Sequence, residues 1–120
     1  MTMTHEQAKI ISDIGKWKIQ KGDWVYKEKL KHLITETLEY NSRSLSSKQL
    51  TLIPQEKHLL ELLRDNGIET NIFNEYVELC IYTNYEDNFK GFEIKDNNIH
   101  EALTDAVMYC IENNLIVKEG

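Results

Sequence analysis

Four histidines are the first residues to consider for metal binding or acid–base chemistry. None has another His or Cys at a metal-ligand spacing, and the helical His-Glu-x-x-His pattern is absent. His100 and Glu101 are adjacent, so their side chains point in different directions on a helix. The sequence therefore predicts no metal site and no cofactor. The four positions are His5, His32, His58 and His100.

Carboxylates are numerous in the C-terminal half of the chain. A nuclease or hydrolase needs two or more of them in one cleft. Glu78 and Glu93 fall at alternate, outward positions of predicted strands, so we interpret them as part of a solvated face.

Nucleophilic catalysis lacks its usual sequence context. The serines of residues 42–47 are not part of a Gly-x-Ser-x-Gly turn, and Cys110 falls within a predicted helix rather than at a helix N-terminus. The five glycines are isolated and form no phosphate-binding loop. We predict that the protein is not an enzyme and has no catalytic residues.

Aromatic and basic residues around one turn could contact a ligand or partner. Trp17 and Trp24 flank a turn signal at residues 21–23, with lysines nearby that could meet a phosphate. We expect both tryptophans to pack under the first helix; in the alternative, one stays exposed as a contact anchor. The candidate contact residues are Lys16, Trp17, Asp23, Trp24 and Tyr26.

Composition indicates an ordinary globular chain. The 120 residues are 41% hydrophobic and 28% charged, which fits one domain over residues 1–120. A net charge of −6 argues against nucleic-acid binding, because contacts to phosphates require a surplus of Lys and Arg. Cys80 and Cys110 are expected to be buried free thiols. The polar N-terminus and the lack of a long apolar run predict a cytoplasmic protein that does not enter a membrane.

The pattern of elements predicts an α+β fold. We expect a first helix from the cap Thr4 to Gly15, and then a hairpin of strands 17–20 and 24–26. Residues 27–40 fit either a helix or a further strand, and 41–48 form a polar loop. The remaining predictions are a strand at 49–53, a helix from Pro54 to Gly67, strands at 68–73, 76–82 and 89–95, a helix from Asn98, and a tail at 115–120.

These elements would form a mostly antiparallel sheet of about five to six strands, packed with about three helices in two or three layers.

Three segments carry a resemblance to a group of small proteins. They are Gly22-Asp23-Trp24-Val25, then Leu52-Ile53-Pro54 followed by the leucine-rich 59–63, and finally Phe92-Glu93-Ile94-Lys95 followed by 101–107. In this respect the chain resembles small bacterial and prophage-type proteins with an α/β sandwich-like fold and no established activity. Residues 91–106 are also similar to the closing strand and helix of HicB-type antitoxins, although the Gly-x-Thr that usually precedes that helix is absent.

Together these observations predict a non-catalytic interaction or regulatory protein of bacterial or phage origin. One alternative is a module that binds a nucleotide or metabolite, and another is an antitoxin-like partner-binding domain. An acidic surface suits a basic protein partner, and a homodimer is a further expectation.

Overall fold

The structure, a computed structural model, describes residues 3–34, 50–83 and 86–116. It consists of two compact units, Met3–Gln55 and a second unit that begins at Glu56. We call them the N-terminal and the C-terminal unit. The prediction that residues 1–120 form a single domain stays a prediction.

The N-terminal unit combines one helix with one three-stranded antiparallel sheet. The helix is α1 (His5–Gly15), and the strands are β1 (Trp24–Lys27), β2 (Leu30–Leu33) and β3 (Leu50–Leu52). The strand order is β2-β1-β3, so β1 is central and β2 lies at an edge.

Helix α1 begins with the predicted capping box. Thr4 accepts a hydrogen bond from the Gln7 backbone at 3.2 Å, and the Gln7 side chain accepts one from the Thr4 backbone at 3.1 Å. Each bond satisfies a backbone N–H that has no partner within the helix. The helix ends at Gly15, and Lys16 takes the left-handed conformation with φ 52°.

The predicted hairpin of strands 17–20 and 24–26 is wrong in its first strand. Residues 16–20 form no strand, and β1 instead pairs with β2 across a turn at Glu28 and Lys29. Glu28 has φ 58°, a conformation that β-branched residues resist and that closes a tight hairpin. Leu30–Leu33 therefore follows the strand alternative for residues 27–40, whereas residues 35–40 and the predicted loop 41–48 lie outside the described residues.

The core of the N-terminal unit includes a cluster on one face of β1. Val25, Ile34 and Leu50 are buried together, and the half-buried Ile19 packs against them. Residues 17–20 thus contribute to the core without joining the sheet, which explains their alternating pattern.

The C-terminal unit contains two helices and a second antiparallel sheet. The elements are α2 (Glu56–Asp65), β4 (Glu69–Ile72), β5 (Tyr76–Thr83), β6 (Glu86–Glu93) and α3 (Ile99–Glu112). The strand order is β4-β5-β6, so the three strands follow one another in sequence and in space. Helix α3 packs against β5 and β6, and α2 packs against α3 and β4.

The boundaries in this unit are close to those predicted, with two differences. Helix α2 begins at Glu56 rather than at Pro54, and β6 begins at Glu86, within the stretch that was expected to be a turn. Helix α3 begins where predicted, because the Asn98 side chain accepts a hydrogen bond from the Glu101 backbone at 3.0 Å.

The α+β prediction is confirmed, with six antiparallel strands and three helices among the described residues. The strands are divided between two sheets. Both cysteines are buried free thiols, as expected.

Candidate functional site

One face of the β4-β5-β6 sheet forms the candidate site, and we call it the outer face. Residues that are directly opposite in neighbouring strands share a face of the sheet. The pairing therefore places three rows of side chains on this face. Two rows run from β4 across β5 to β6, and the third begins at Phe73, the residue just after β4. The rows are Glu69–Cys80–Phe89, Asn71–Glu78–Gly91 and, at the sheet end, Phe73–Tyr76–Glu93.

Three aromatic side chains of the outer face are open to solvent. Phe89 is 63% exposed, Phe73 is 44% exposed and Tyr76 is 39% exposed. The rings of Phe73 and Tyr76 are stacked, with centroids 4.7 Å apart. Large apolar rings are costly to leave in water, so a group of them on one face indicates a contact surface.

The charged side chains of the three rows are all acidic. Glu69 and Glu93 are exposed, while Glu78 is half-buried and accepts a weak hydrogen bond from Asn71 at 3.5 Å. None of the rows contains Lys or Arg. The rows therefore combine aromatic contact area with negative charge.

The opposite face of the same sheet is covered by α3. Phe92 meets Tyr109 edge-on, with ring centroids 5.6 Å apart. The ammonium group of Lys90 lies 5.5 Å from the centre of the same ring. Val77 and Leu79 on this face are completely buried. The two faces of β6 thus have different surroundings: Lys90 and Phe92 pack against α3, whereas Phe89 faces solvent.

In the middle of α3, partial burial raises the pKa of the Asp105 carboxyl. The neighbouring Glu101 adds to this rise, and Lys95 opposes it. A raised pKa is useful to a general acid, but it also occurs wherever carboxylates share one helix turn.

Two of the predicted contact residues, Asp23 and Tyr26, form hydrogen bonds within the N-terminal unit. Asp23 is 4% exposed; its carboxylate accepts hydrogen bonds from the Gln20 backbone at 2.8 Å and from the Gln55 side chain at 3.0 Å. The hydroxyl of Tyr26 donates to the Met3 carbonyl at 2.7 Å, and its ring lies against His5. These contacts give both side chains a structural role.

The other three predicted contact residues lie closer to solvent. Lys16 is exposed, Trp17 is half-buried and Trp24 is 47% exposed. The expectation that both tryptophans pack under the first helix is therefore wrong for Trp24. Trp24 lies opposite the partly exposed Leu33 in the β1–β2 pair, so the two side chains share a face.

An open groove runs between α2 and β4, with a volume of about 760 Å³. Lys57, Glu61, Arg64 and Glu69 contribute both signs of charge to its lining. Arg64 is 4.0 Å from the carboxylate of Asp65, and both side chains are well exposed.

Comparison with family models, curated proteins and solved structures finds no match for this chain. No group of three or more His, Cys, Asp or Glu side chains that could hold a metal ion occurs within residues 3–34, 50–83 and 86–116. Across the same part of the chain, no helix is long and apolar enough to cross a membrane.

Sequence reasoning identified the acidic half of the outer face but missed its aromatic half. Alternation with apolar residues predicts outward positions for Glu78 and Glu93, and this prediction is confirmed. The exposure of Phe89 is missed because alternation alone does not show which face of the sheet the helices cover. The same alternation already puts Phe89, the first residue of the predicted strand 89–95, on the side of Glu93.

Proposed function

We propose that this protein is a non-catalytic interaction protein, of bacterial or phage origin, that binds a basic segment of a protein partner. The observation that carries the proposal is the outer face of the β4-β5-β6 sheet, where exposed Phe73, Tyr76 and Phe89 lie among carboxylates. We further propose that it acts in the cytoplasm as a regulator, which is what its resemblance to prophage-type proteins suggests.

The aromatic side chains supply the contact energy in this proposal. A Phe or Tyr ring offers a large contact area and loses little conformational entropy when it is bound. Binding energy at protein interfaces is concentrated in a few such anchors. Phe89 is the best placed of the three, because it is the most exposed and lies on the edge strand.

The carboxylates determine the chemistry of the partner. Glu69, Glu78 and Glu93 repel an acidic surface and attract Lys or Arg. Arginine suits this face best, because its planar guanidinium group binds a carboxylate with two hydrogen bonds and also stacks on an aromatic ring. The net charge of −6 acts in the same direction at longer range.

Selection from a displayed library of random peptides tests the proposal. The immobilised full chain should enrich peptides rich in Arg, and their affinity should fall as the salt concentration rises. The variant Phe89→Ala and the variant Glu78→Gln should each weaken the selected peptides about tenfold. Leu30→Ala is the matched control, because Leu30 is a large apolar side chain that is 76% exposed but lies in the N-terminal unit.

Two results would overturn the proposal. One is a selection that enriches no peptide above an empty surface. The other is a set of selected peptides that bind the Phe89→Ala and Glu78→Gln variants as tightly as the original chain.

A second candidate function is favoured by the exposure of Trp24, which is 47% open to solvent. An exposed indole can stack on a nucleotide base, and Lys31 lies on the same face of the β1–β2 pair. Tryptophan fluorescence titrated with a nucleotide panel tests this candidate. The variant Trp24→Phe separates the signal of Trp24 from that of Trp17, and an unchanged spectrum across the panel would remove the candidate.

A further inference from the structure

Strand β6 is bonded to β5 through only half of its backbone groups. The Ile94 N–H donates to the Glu75 carbonyl at 2.8 Å, which makes these two residues a hydrogen-bonded pair. Hydrogen-bonded pairs alternate along an antiparallel ladder. In the register of β5 and β6, the next such pairs contain Phe92 and Lys90.

The remaining backbone groups of β6 point away from the sheet. They belong to Phe89, Gly91 and Glu93, which are also the residues of the outer face. Within residues 3–34, 50–83 and 86–116, no residue pairs with these N–H and C=O groups, because β6 is the last strand of its sheet. An edge of this kind is a template for another strand.

This edge lacks several features by which proteins usually block such pairing. Strand β6 spans eight residues, its register with β5 continues without a bulge, and it contains no proline. Its lysine, Lys90, is held against Tyr109 on the covered face. By contrast, β4 at the opposite edge has four residues.

We propose that the basic partner segment binds as an additional β-strand along β6. The inference rests on the proposed function and adds the mode of binding: backbone hydrogen bonds to Phe89, Gly91 and Glu93 supply affinity, and alternate side chains of the segment supply specificity. Charge complementarity identifies the occupant as an extended segment with basic residues at every second position.

Each position along the added strand has its own neighbours. On the outer face, a basic side chain beside Glu93 forms an ion pair. Gly91 has no side chain, and a Cβ at this position would lie 3.7 Å from the Tyr76 ring. An arginine opposite Gly91 therefore has room to lie against Tyr76 and to reach Glu78 in the same row. The alternate side chains of the segment face Phe92 and are apolar.

A substitution at Gly91 tests the backbone contacts. The variant Gly91→Pro removes an N–H that points outward, so the ladder with β5 is retained, as for prolines at natural sheet edges. The variant Gly91→Ala is the matched control, because it keeps the N–H and has ordinary contact distance to Tyr76. Peptides of about ten residues selected on the original chain should bind Gly91→Pro at least tenfold more weakly than Gly91→Ala. Gly91→Ala itself should bind them only slightly more weakly than the original chain, because its methyl group takes part of the space beside Tyr76.

Modified peptides give a second measurement that does not depend on the folding of any variant. Methylation of the peptide backbone nitrogens at every second residue removes the donors along one edge of an extended strand. One of the two possible methylated sets should bind about tenfold or more weakly than the unmethylated peptide. The other set should bind about as tightly, because only one edge of the peptide faces β6.

The outcomes separate the two proposals. If both methylated sets bind equally well and a folded Gly91→Pro variant binds as tightly as Gly91→Ala, strand addition is wrong. In that case the proposed function still stands as long as Phe89→Ala and Glu78→Gln weaken binding. If no peptide is enriched at all, both proposals fall. Enriched peptides with basic residues at helical spacing, three or four apart, would also overturn strand addition.

Discussion

The ring of Trp17 occupies the space that a side chain at Gly15 would fill. Gly15 is the last residue of α1, and Trp17 follows one residue beyond the left-handed Lys16. The helix end and the chain that leaves it are therefore fitted to each other. A glycine that sequence analysis assigns to helix termination is needed here for space.

The sign of a Gly15→Ala effect tests this fit. Within a helix, alanine is normally more stabilising than glycine by about 0.5–1 kcal/mol. Here overlap with the Trp17 ring should reverse the sign and destabilise the protein by about 1–3 kcal/mol. Urea unfolding measures the change. The double variant Gly15→Ala/Trp17→Ala is the control, and alanine at position 15 should be harmless in that background.

Asp23 should affect stability rather than binding. The variant Asp23→Ala leaves the Gln20 N–H and the Gln55 amide without their acceptor, and should lower the free energy of unfolding by about 1–3 kcal/mol. The variant Asp13→Ala removes an exposed carboxylate of α1 and should change stability by less than about 0.5 kcal/mol. Equal effects in urea unfolding would contradict the structural role of Asp23.

Phe89 and Phe92 lie three residues apart on β6 but on opposite faces, so they form a natural pair of tests. The variant Phe89→Ala should change the midpoint of thermal unfolding little, because the ring is 63% exposed. The variant Phe92→Ala should lower it clearly, because the ring packs on Tyr109 beneath the sheet. Circular dichroism during heating measures both, and a larger loss for Phe89→Ala would contradict the assignment of the two faces.

The buried thiol of Cys110 should make the protein less stable at alkaline pH. Burial raises the pKa of its thiol from 9.0 to about 11. Between these values the unfolded chain loses the thiol proton and the folded chain keeps it, so stability falls as the pH rises, by at most ~1.4 kcal/mol per pH unit. Below the unfolded pKa, this contribution to stability is fully present.

Unfolding of Cys110→Ala over the same pH range provides the comparison. The variant should lose less stability than the original chain between pH 9.0 and about 11, since the thiol no longer titrates. Parallel curves for the two proteins would show that the thiol ionises equally well in both states.

Local signals predicted the helices well, because a cap or a stop involves residues close in sequence. The Thr4–Gln7 box and the Asn98 cap are both recognised from spacing alone. Strand pairing was less predictable. Alternation at residues 17–20 looks like a strand, yet Ile19 meets the core from an irregular segment, and the true partner of β1 lies across the Glu28 turn.

The candidate site also contains some features that local sequence patterns predict and others that depend on contacts between distant segments. The outward position of Glu78 followed from period-two alternation, which is a local property. The exposure of Phe89 depends on which side of the sheet the helices cover, and that is decided by packing between distant segments. Likewise, the sequence could not show that Asp23 would be enclosed by Gln55, a residue far along the chain.

The consecutive order of β4, β5 and β6 has a consequence for folding kinetics. Each strand of this sheet pairs with its neighbour in sequence, so its contacts are local and the cost of closing chain loops is small. The other sheet must bring β3 to β1 across the stretch from Leu33 to Leu50 before those bonds can form. The hairpins of the C-terminal unit should therefore gain protection from hydrogen exchange early in refolding, and the β1–β3 pair should gain it later.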